Sequence, residues 1–166
     1  MKIGNKIVNL DERTYIMGIL NVTPDSFSDG GDFNNLDIAI QHVKDMVDQG
    51  ADIIDLGGES TRPGHSYVDS DEELRRVIPV IKKLKQELDI PISIDTYKAD
   101  VAEEALKLGV TMVNDVWGLR KDKNMASVIG KYDAEVCIMH NQDGTNYDKD
   151  IMESIKDFFK VSIEMA

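Results

Sequence analysis

Four polar residues stand directly after short apolar runs, the position where parallel α/β proteins usually carry their chemistry. Asn21, Asp95, Asn114 and His140 each follow such a run. The carboxyl ends of parallel strands meet at one end of a sheet or barrel, so these side chains are expected to lie near one another. The amide oxygen of Asn21 is a suitable ligand for a hard cation such as Mg²⁺.

The side chains of Asp95 and Asn114 fit the polar edge of an amino-heterocycle. The Asp95 carboxylate can accept two hydrogen bonds from the N–H and NH₂ groups of a pterin or guanine-like ring, and the Asn114 amide can both donate and accept toward the same ring. The alternative for Asp95 is a capping role at the start of the next helix. Met139 would supply a soft apolar wall for a ring, whereas a lone histidine such as His140 is more often a satisfied hydrogen-bonding residue.

Two long loops, at 21–31 and 57–64, are rich in Gly, Pro, Ser and Asp. Long loops at this end of a βα fold are usually functional. In the first loop, Phe27 could pack on a flat substrate, although a solvated turn explains the composition equally well. Arg62 is the only arginine in either loop, which favours a clamp for a phosphate or carboxylate on so acidic a chain. The alternative is an ion pair between Arg62 and Glu59 or a nearby helix.

The composition argues against several classes of partner. The chain has 19 Lys and Arg against 31 Asp and Glu, a formal charge of −12, which disfavours nucleic acid or an anionic membrane as the main partner. No apolar stretch approaches the ~20 residues that cross a bilayer, and the first residues lack the apolar core of a signal peptide. The single cysteine, Cys137, can form no internal disulfide, which fits a cytoplasmic protein.

The elements that must position these residues follow an alternating pattern. Helix-patterned sequence follows each of five apolar runs, which are 15–20, 52–56, 91–94, 111–113 and 135–139. Alternation at intervals of roughly 30 residues predicts a parallel sheet. Residues 2–9 predict a short hairpin that could plug the bottom of that sheet or barrel. Ser70 with Glu73 predicts a capping box at the start of the second helix.

Four segments of the chain together resemble dihydropteroate synthase. They are IMGILNVTPDSFSDGG (16–31), DIIDLGGESTRPG (52–64), SIDTYKADVAEEAL (93–106) and NDVWG (114–118). The resemblance extends over essentially the whole chain and is weakest after His140. It implies a (β/α)₈ barrel that condenses 6-hydroxymethyl-7,8-dihydropterin diphosphate with 4-aminobenzoate, giving dihydropteroate and diphosphate on the folate pathway.

The resemblance also implies roles for individual residues. Asn21, Asp95 and Asn114 are the expected catalytic residues: Asp95 and Asn114 hold the pterin edge, and Asn21 contacts the Mg²⁺ carried by the diphosphate. Met139 is expected near the pterin ring. The remaining substrate-binding residues are Thr61 and Arg62 at the diphosphate end and Phe27, Asp29 and Pro63 in the 4-aminobenzoate pocket. A homodimer of the full-length protein is implied as well.

The length departs from the family pattern. Roughly five βα units fit within the 166 residues, whereas a (β/α)₈ barrel has eight units and ~250 residues. The expectation is therefore one pterin-binding barrel domain over 1–166 that is incomplete at its C-terminal end and inactive by itself. Two alternatives stay open: a pterin-dependent methyltransferase, against which the first loop argues, and a non-catalytic pterin-binding module.

Overall fold

The structure is a computed structural model that describes residues 2–4, 6–23, 32–60 and 66–166. Its elements alternate along the chain after an initial pair of short strands. In order they are β1 (Lys2–Ile3), β2 (Lys6–Ile7), β3 (Met17–Asn21), α1 (Asp32–Asp48), β4 (Ile53–Gly57), α2 (Ser70–Glu87), β5 (Ile92–Asp95), α3 (Ala99–Lys107), β6 (Met112–Asp115), α4 (Met125–Tyr132), β7 (Glu135–Ile138) and α5 (Ile151–Met165).

Strands β3 to β7 form one parallel sheet whose strand order follows the sequence. The predicted parallel sheet and the five predicted helices are confirmed. The strands differ from the predicted runs at their carboxyl ends, since Asn21, Asp95 and Asn114 lie inside the ladder. Backbone pairing with the neighbouring strands continues through these positions, so hydrophobicity alone placed the ends too early.

The apolar core lies between one face of the sheet and helices α1 to α4. Successive side chains of a strand point to opposite faces, and the core takes alternate strand residues such as Leu20, Leu56 and Ile94. The helices contribute fully buried side chains, for example Val43 and Ile81. Because this face is entirely apolar, the opposite face is where strand residues can be polar.

The hairpin β1–β2 covers the amino-terminal end of that opposite face. Ile3 and Val8 form a small buried cluster with Ile53 and Met112, and Tyr15 packs against it. The prediction that the hairpin plugs the bottom of the sheet is confirmed. The polar residues therefore lie at the carboxyl end of a face whose other end is closed by apolar contacts.

The predicted capping box at α2 is wrong. The N-cap is Asp69, whose carboxylate accepts a hydrogen bond of 2.8 Å from the backbone N–H of Glu72. Glu73 is only 1% exposed and points into the protein, where it pairs with Lys98. A buried ammonium attracts this carboxylate more strongly than an exposed backbone N–H does. In the part of the chain that the structure describes, none of the helices has the length and apolar character needed to cross a membrane.

Candidate ligand site at the carboxyl ends of the strands

Five residues form one row across the carboxyl end of the sheet. Strand register pairs Asn21 with Gly57, Gly57 with Asp95, Asp95 with Asn114 and Asn114 with Cys137. Residues paired in this way across parallel strands present their side chains to the same face. The three residues predicted to be catalytic therefore lie in one row, with Gly57 between Asn21 and Asp95, on the face that the helices leave uncovered.

A second row, two residues nearer the amino-terminal end, adds a carboxylate to the site. Asp55 is paired with Ser93 in this row and is 5% exposed. Its Oδ2 accepts a hydrogen bond of 2.9 Å from Nδ2 of Asn114. This bond fixes the amide of Asn114 with its nitrogen toward Asp55, so the carbonyl oxygen of Asn114 is the group left for a ligand donor.

The carboxylate of Asp95 is strongly perturbed. Burial, followed by the charges of Asp55 and Glu73, raises the pKa of Asp95 to about 7. Its Oδ1 is buried and accepts no hydrogen bond within the described residues, and the same is true of Oδ1 of Asp55. Buried polar atoms are almost always paired in proteins. These two oxygens therefore mark a place where a ligand with N–H donors would be stabilised.

Asp95 does not cap the following helix. The N-cap of α3 is Lys98, which makes no side-chain capping bond, and the backbone N–H of Ala99 donates instead to Oδ2 of Asp122 at 2.9 Å. Thr96 accepts a hydrogen bond of 3.2 Å from the backbone N–H of Lys98. The capping alternative for Asp95 is therefore wrong in this fold, and its carboxylate is left for the site.

Gly57 makes room between Asn21 and Asp95. A Cβ atom at Gly57 would lie 3.0 Å from Oδ1 of Asn21 and 3.6 Å from Oδ2 of Asp95. That spacing is tighter than side chains normally tolerate, so a larger residue at 57 would push the Asn21 amide aside. The same contact shows that Oδ1 of Asn21 lies over the strand row beside Asp95.

Met139, which is predicted to lie near the pterin ring, is more exposed to solvent than the strand residues Asp55 and Asp95, and His140 follows it directly. Met139 follows the strand directly and is 44% exposed. His140 packs its ring edge against Phe158 at 4.8 Å and stacks on Tyr147 at 6.0 Å, which fits a packing role. Cys137 is exposed in the strand row, and partial burial together with Asp55 and Asp95 raises the pKa of its thiol.

Five of the predicted substrate-binding residues lie outside the described residues. They are Phe27, Asp29, Thr61, Arg62 and Pro63. Their assignments stay predictions. Among the described residues, no three His, Cys, Asp or Glu side chains converge to hold a metal ion.

Sequence reasoning missed Asp55 and Cys137. Asp55 stands inside the apolar run DIIDL, whose pattern by itself predicts only a buried strand. A signal was available, because a carboxylate inside a buried apolar run is rare unless it is paired. Cys137 gave no comparable signal, since cysteine is common in buried strands.

Comparisons with known proteins agree with this architecture. A family profile described as "Pterin binding enzyme" matches residues 17–166. The chain is 59% identical over 166 residues to the dihydropteroate synthase of Clostridium beijerinckii, covering 100% of this chain and 61% of that protein. It is also similar to a dihydropteroate synthase structure from Clostridium difficile determined in the presence of pteroic acid, with 93% identity and a TM-score of 0.91, covering 100% of this chain and 60% of that one.

A third similar structure is the dihydropteroate synthase of Xanthomonas albilineans with 4-aminobenzoic acid. It has 41% identity and a TM-score of 0.86, and the match covers 98% of this chain and 58% of that one. The chain thus spans about three fifths of the length of these relatives. The prediction that it supplies roughly the first five βα units of their barrel fold is confirmed. Because the family profile covers most of its residues, the chain belongs to the pterin binding enzyme family.

Proposed function

We propose that the protein containing this chain is a dihydropteroate synthase, which joins a 6-hydroxymethyl-7,8-dihydropterin diphosphate to 4-aminobenzoate and releases diphosphate. The observation that carries the proposal is that Asn21, Asp95 and Asn114 share one row across the carboxyl end of the sheet. High identity to dihydropteroate synthases along the entire chain supports the same activity.

The pterin edge would occupy the space beside Asp95 and Asn114. A pterin offers an N–H and an NH₂ group on one edge, and the unpaired, buried Oδ1 of Asp95 could accept one of them. The carbonyl oxygen of Asn114, oriented by its bond to Asp55, would accept another donor. Met139 would lie against the ring from the end of β7. The low solvent access of this region strengthens each such bond.

A magnesium ion fits the diphosphate end of this site. Mg²⁺ is commonly bound through one or two protein oxygens, several waters and the phosphates of a substrate. The Asn21 amide is exposed at the strand end and forms no hydrogen bond within the described part of the chain, so its oxygen could serve as such a ligand. When bound, the cation would neutralise the charge that grows on the departing diphosphate. Thr61 and Arg62 would assist from the second loop.

The chemistry requires positioning more than a strong base. The C–O bond between the pterin methylene and the diphosphate breaks, and its electron pair leaves with the diphosphate. The electron-rich pterin ring stabilises the resulting cationic methylene. The amine of 4-aminobenzoate attacks this carbon through its lone pair and then loses a proton. Phe27, Asp29 and Pro63 are proposed to hold 4-aminobenzoate. Holding both reactants in line provides a large part of the acceleration.

The proposed activity is tested by a coupled assay of diphosphate release with the complete gene product, the pterin diphosphate and 4-aminobenzoate. Release that requires both substrates, with dihydropteroate as the second product, is the expected result. Pterin binding without turnover would instead identify a non-catalytic binding protein. Turnover that requires a corrinoid partner and a methyl donor would identify a methyltransferase.

Replacement of Asn21 by alanine is expected to weaken diphosphate binding mainly when Mg²⁺ is present. The physical reason is that the amide oxygen would contact the cation rather than the phosphate oxygens. Diphosphate is titrated by calorimetry with and without Mg²⁺. Asn124→Ala is the matched control, because Asn124 stands at the start of α4 and its side chain makes no capping bond. Equal weakening of Asn21→Ala in both conditions would show that Asn21 is not a metal contact.

The proposal extends to location and assembly. A cytoplasmic protein is proposed on the presence of a single cysteine, Cys137, which excludes an internal disulfide within this sequence. A homodimer of the complete protein is proposed on the resemblance to the family alone. Sedimentation of the purified gene product tests the second point.

A further inference from the structure

A buried group of three charged residues joins two neighbouring strand ends behind the ligand site. Nζ of Lys98 donates hydrogen bonds of 2.5 Å to Oε2 of Glu59 and 2.5 Å to Oε2 of Glu73. The three side chains are 7%, 3% and 1% exposed respectively. Glu59 follows β4, Lys98 follows β5, and Glu73 lies in the first turn of α2. We call these residues the Lys98 triad.

Hydrogen bonds within this triad favour the charged forms of Lys98 and Glu59, whereas burial outweighs the bond from Lys98 at Glu73 and raises the pKa of that carboxyl. Although burial alone would lower the pKa of Lys98, its bonds to Glu59 and Glu73 raise it, so the ammonium stays charged. Burial would also raise the pKa of Glu59, but the hydrogen bonds from Lys98 and from Val68 lower it. Removing one partner from a buried group of charges leaves the others uncompensated, which is far more costly than losing an exposed ion pair.

The triad also holds the chain on both sides of residues 61–65, and we call the whole connection between β4 and α2 the second loop. The other carboxylate oxygen of Glu59, Oε1, accepts a hydrogen bond of 3.1 Å from the backbone N–H of Val68. Glu59 and Val68 stand on either side of residues 61–65. The carbonyl oxygen of Gly58 accepts a bond of 2.8 Å from Nη1 of Arg76 on α2. A Cβ at Gly58 would lie 2.8 Å from Cγ of Glu73, so the loop backbone is packed directly on the triad.

The ammonium of Lys98 also contacts two aromatic rings, those of Tyr97 and Tyr67. Nζ of Lys98 lies 4.6 Å from the ring centre of Tyr97 and 5.3 Å from that of Tyr67. Tyr67 precedes Val68 at the far end of the loop, so the cation contacts that end through a ring and through Glu59. Cation–ring contacts of this length are attractive and add to the ion pairs.

We infer that Lys98 is a positioning residue that fixes both ends of the second loop relative to the strand that carries Asp95. Lys98 is three residues beyond Asp95, so its backbone continues directly from the strand that carries the proposed pterin ligand. Its ammonium binds Glu59, which precedes Arg62 in the second loop. Its ammonium is buried between two carboxylates, so its proposed action is through the loop rather than by contact with a substrate. The inference rests on the proposed function, because it assigns the diphosphate end of the substrate to this loop.

The test compares Lys98→Met with Lys98→Arg in the complete gene product. Lys98→Met is expected to raise KM for the pterin diphosphate by about 10- to 100-fold, the size of effect that small misplacements of a positioning loop produce. At a pH well above 7, where Asp95 is ionised even when Glu59 and Glu73 have lost their cationic partner, the affinity for a pterin without diphosphate should change less than about twofold. Lys98→Arg retains the charge and should recover part of the loss. Lys131→Met, which removes an exposed lysine paired with Glu103, is the control.

Hydrogen exchange at the Val68 amide provides a readout that depends on no substrate. This N–H should exchange slowly in the wild type and at least about tenfold faster in Lys98→Met, because its acceptor Glu59 loses its partner. If Lys98→Met does not fold, Glu59→Gln is the substitute variant, because it leaves Lys98 paired with the charge of Glu73. Glu59→Gln should also raise KM for the pterin diphosphate. Failure of the wild type to bind a pterin would contradict the proposed function. Hydrogen exchange at Val68 would still test whether Lys98 and Glu59 hold the second loop.

Three outcomes would overturn the inference. One is an unchanged KM for the pterin diphosphate in both Lys98→Met and Glu59→Gln. Another is an equal loss of affinity for the pterin with and without its diphosphate, which is what general destabilisation would give. The third is unchanged exchange at Val68 in a folded Lys98→Met protein.

Discussion

Replacement of Asp95 by alanine is expected to weaken pterin binding by ~2–4 kcal/mol, or roughly 30- to 1,000-fold in Kd. The carboxylate lies in the middle of the strand row, and its Oδ1 is buried without a partner in the described residues. In the variant, the N–H and NH₂ groups of a bound pterin would face alanine and lose their acceptor. Buried donors left unpaired lose their bonds to water without replacement, so the loss exceeds that of an exposed hydrogen bond.

Calorimetry of the complete gene product with a pterin lacking the diphosphate measures this effect. Asp100→Ala is the matched control, because Asp100 is exposed in the first turn of α3 and lies outside the strand row. The control should bind the pterin as the wild type does. An unchanged Kd in Asp95→Ala, with the fold intact by circular dichroism, would remove Asp95 from the pterin site.

Pterin binding is also expected to weaken steeply as the pH falls below about 7. Burial and the neighbouring charges, Asp55 first among them, raise the pKa of Asp95 to about 7. Only the ionised carboxylate can accept two hydrogen bonds from the ring edge, so the competent fraction falls tenfold for each pH unit below the pKa. Affinity should therefore be near its plateau at pH 8 and about 100-fold weaker at pH 5. Kd measured at constant ionic strength across this range checks the midpoint.

The same shift has a consequence for stability without ligand. The pKa of Asp95 is higher in the folded protein than its ordinary value of 3.8, so the folded state binds this proton more tightly than the unfolded chain does. The stability contributed by Asp95 is thus fully present below pH 3.8 and is lost as the pH rises toward 7. A bound pterin would oppose that loss, because its donors stabilise the ionised form.

Asp55→Asn distinguishes two effects of Asp55 on the site: its charge, which raises the pKa of Asp95, and its hydrogen bond, which orients Asn114. An asparagine at 55 keeps an oxygen that can accept from Nδ2 of Asn114, but it removes the charge of Asp55, the largest electrostatic contribution after burial to the raised pKa of Asp95. The midpoint of pterin binding should therefore move to lower pH while the plateau affinity stays within a few-fold. Asp95→Asn should abolish the midpoint. A midpoint that stays in place in Asp55→Asn would mean that the charge of Asp55 does not contribute to the raised pKa of Asp95.

Local pattern was sufficient to predict the βα alternation and the residues at the strand ends. Apolar runs followed by Asn21, Asp95 and Asn114 indicated the correct end of the sheet, because alternating strands and helices bring the residues after each apolar run to the same end. The plug formed by β1 and β2 was predicted for the same reason, since a short hairpin directly before the first parallel strand has few places to pack.

Contacts between distant residues could not be predicted in this way. Asp55 joins the site because register places it beside Ser93 and its carboxylate reaches Asn114, 59 residues away in sequence. The role of Glu73 was predicted wrongly, since its spacing from Ser70 fits a capping box while its actual partner, Lys98, is 25 residues away. The family motifs likewise gave no sign that Lys98 would be buried between two carboxylates.

The sequence by itself determined the order of the elements, the end of the sheet that carries polar groups and the resemblance to a known family, because each depends on the type and spacing of nearby residues. The tertiary structure alone decided which strand residues share a row, which way the Asn114 amide faces and how Lys98 links two loops. Those features depend on strand register and on the burial of charge, and both are set only when segments 25 to 59 residues apart pack together.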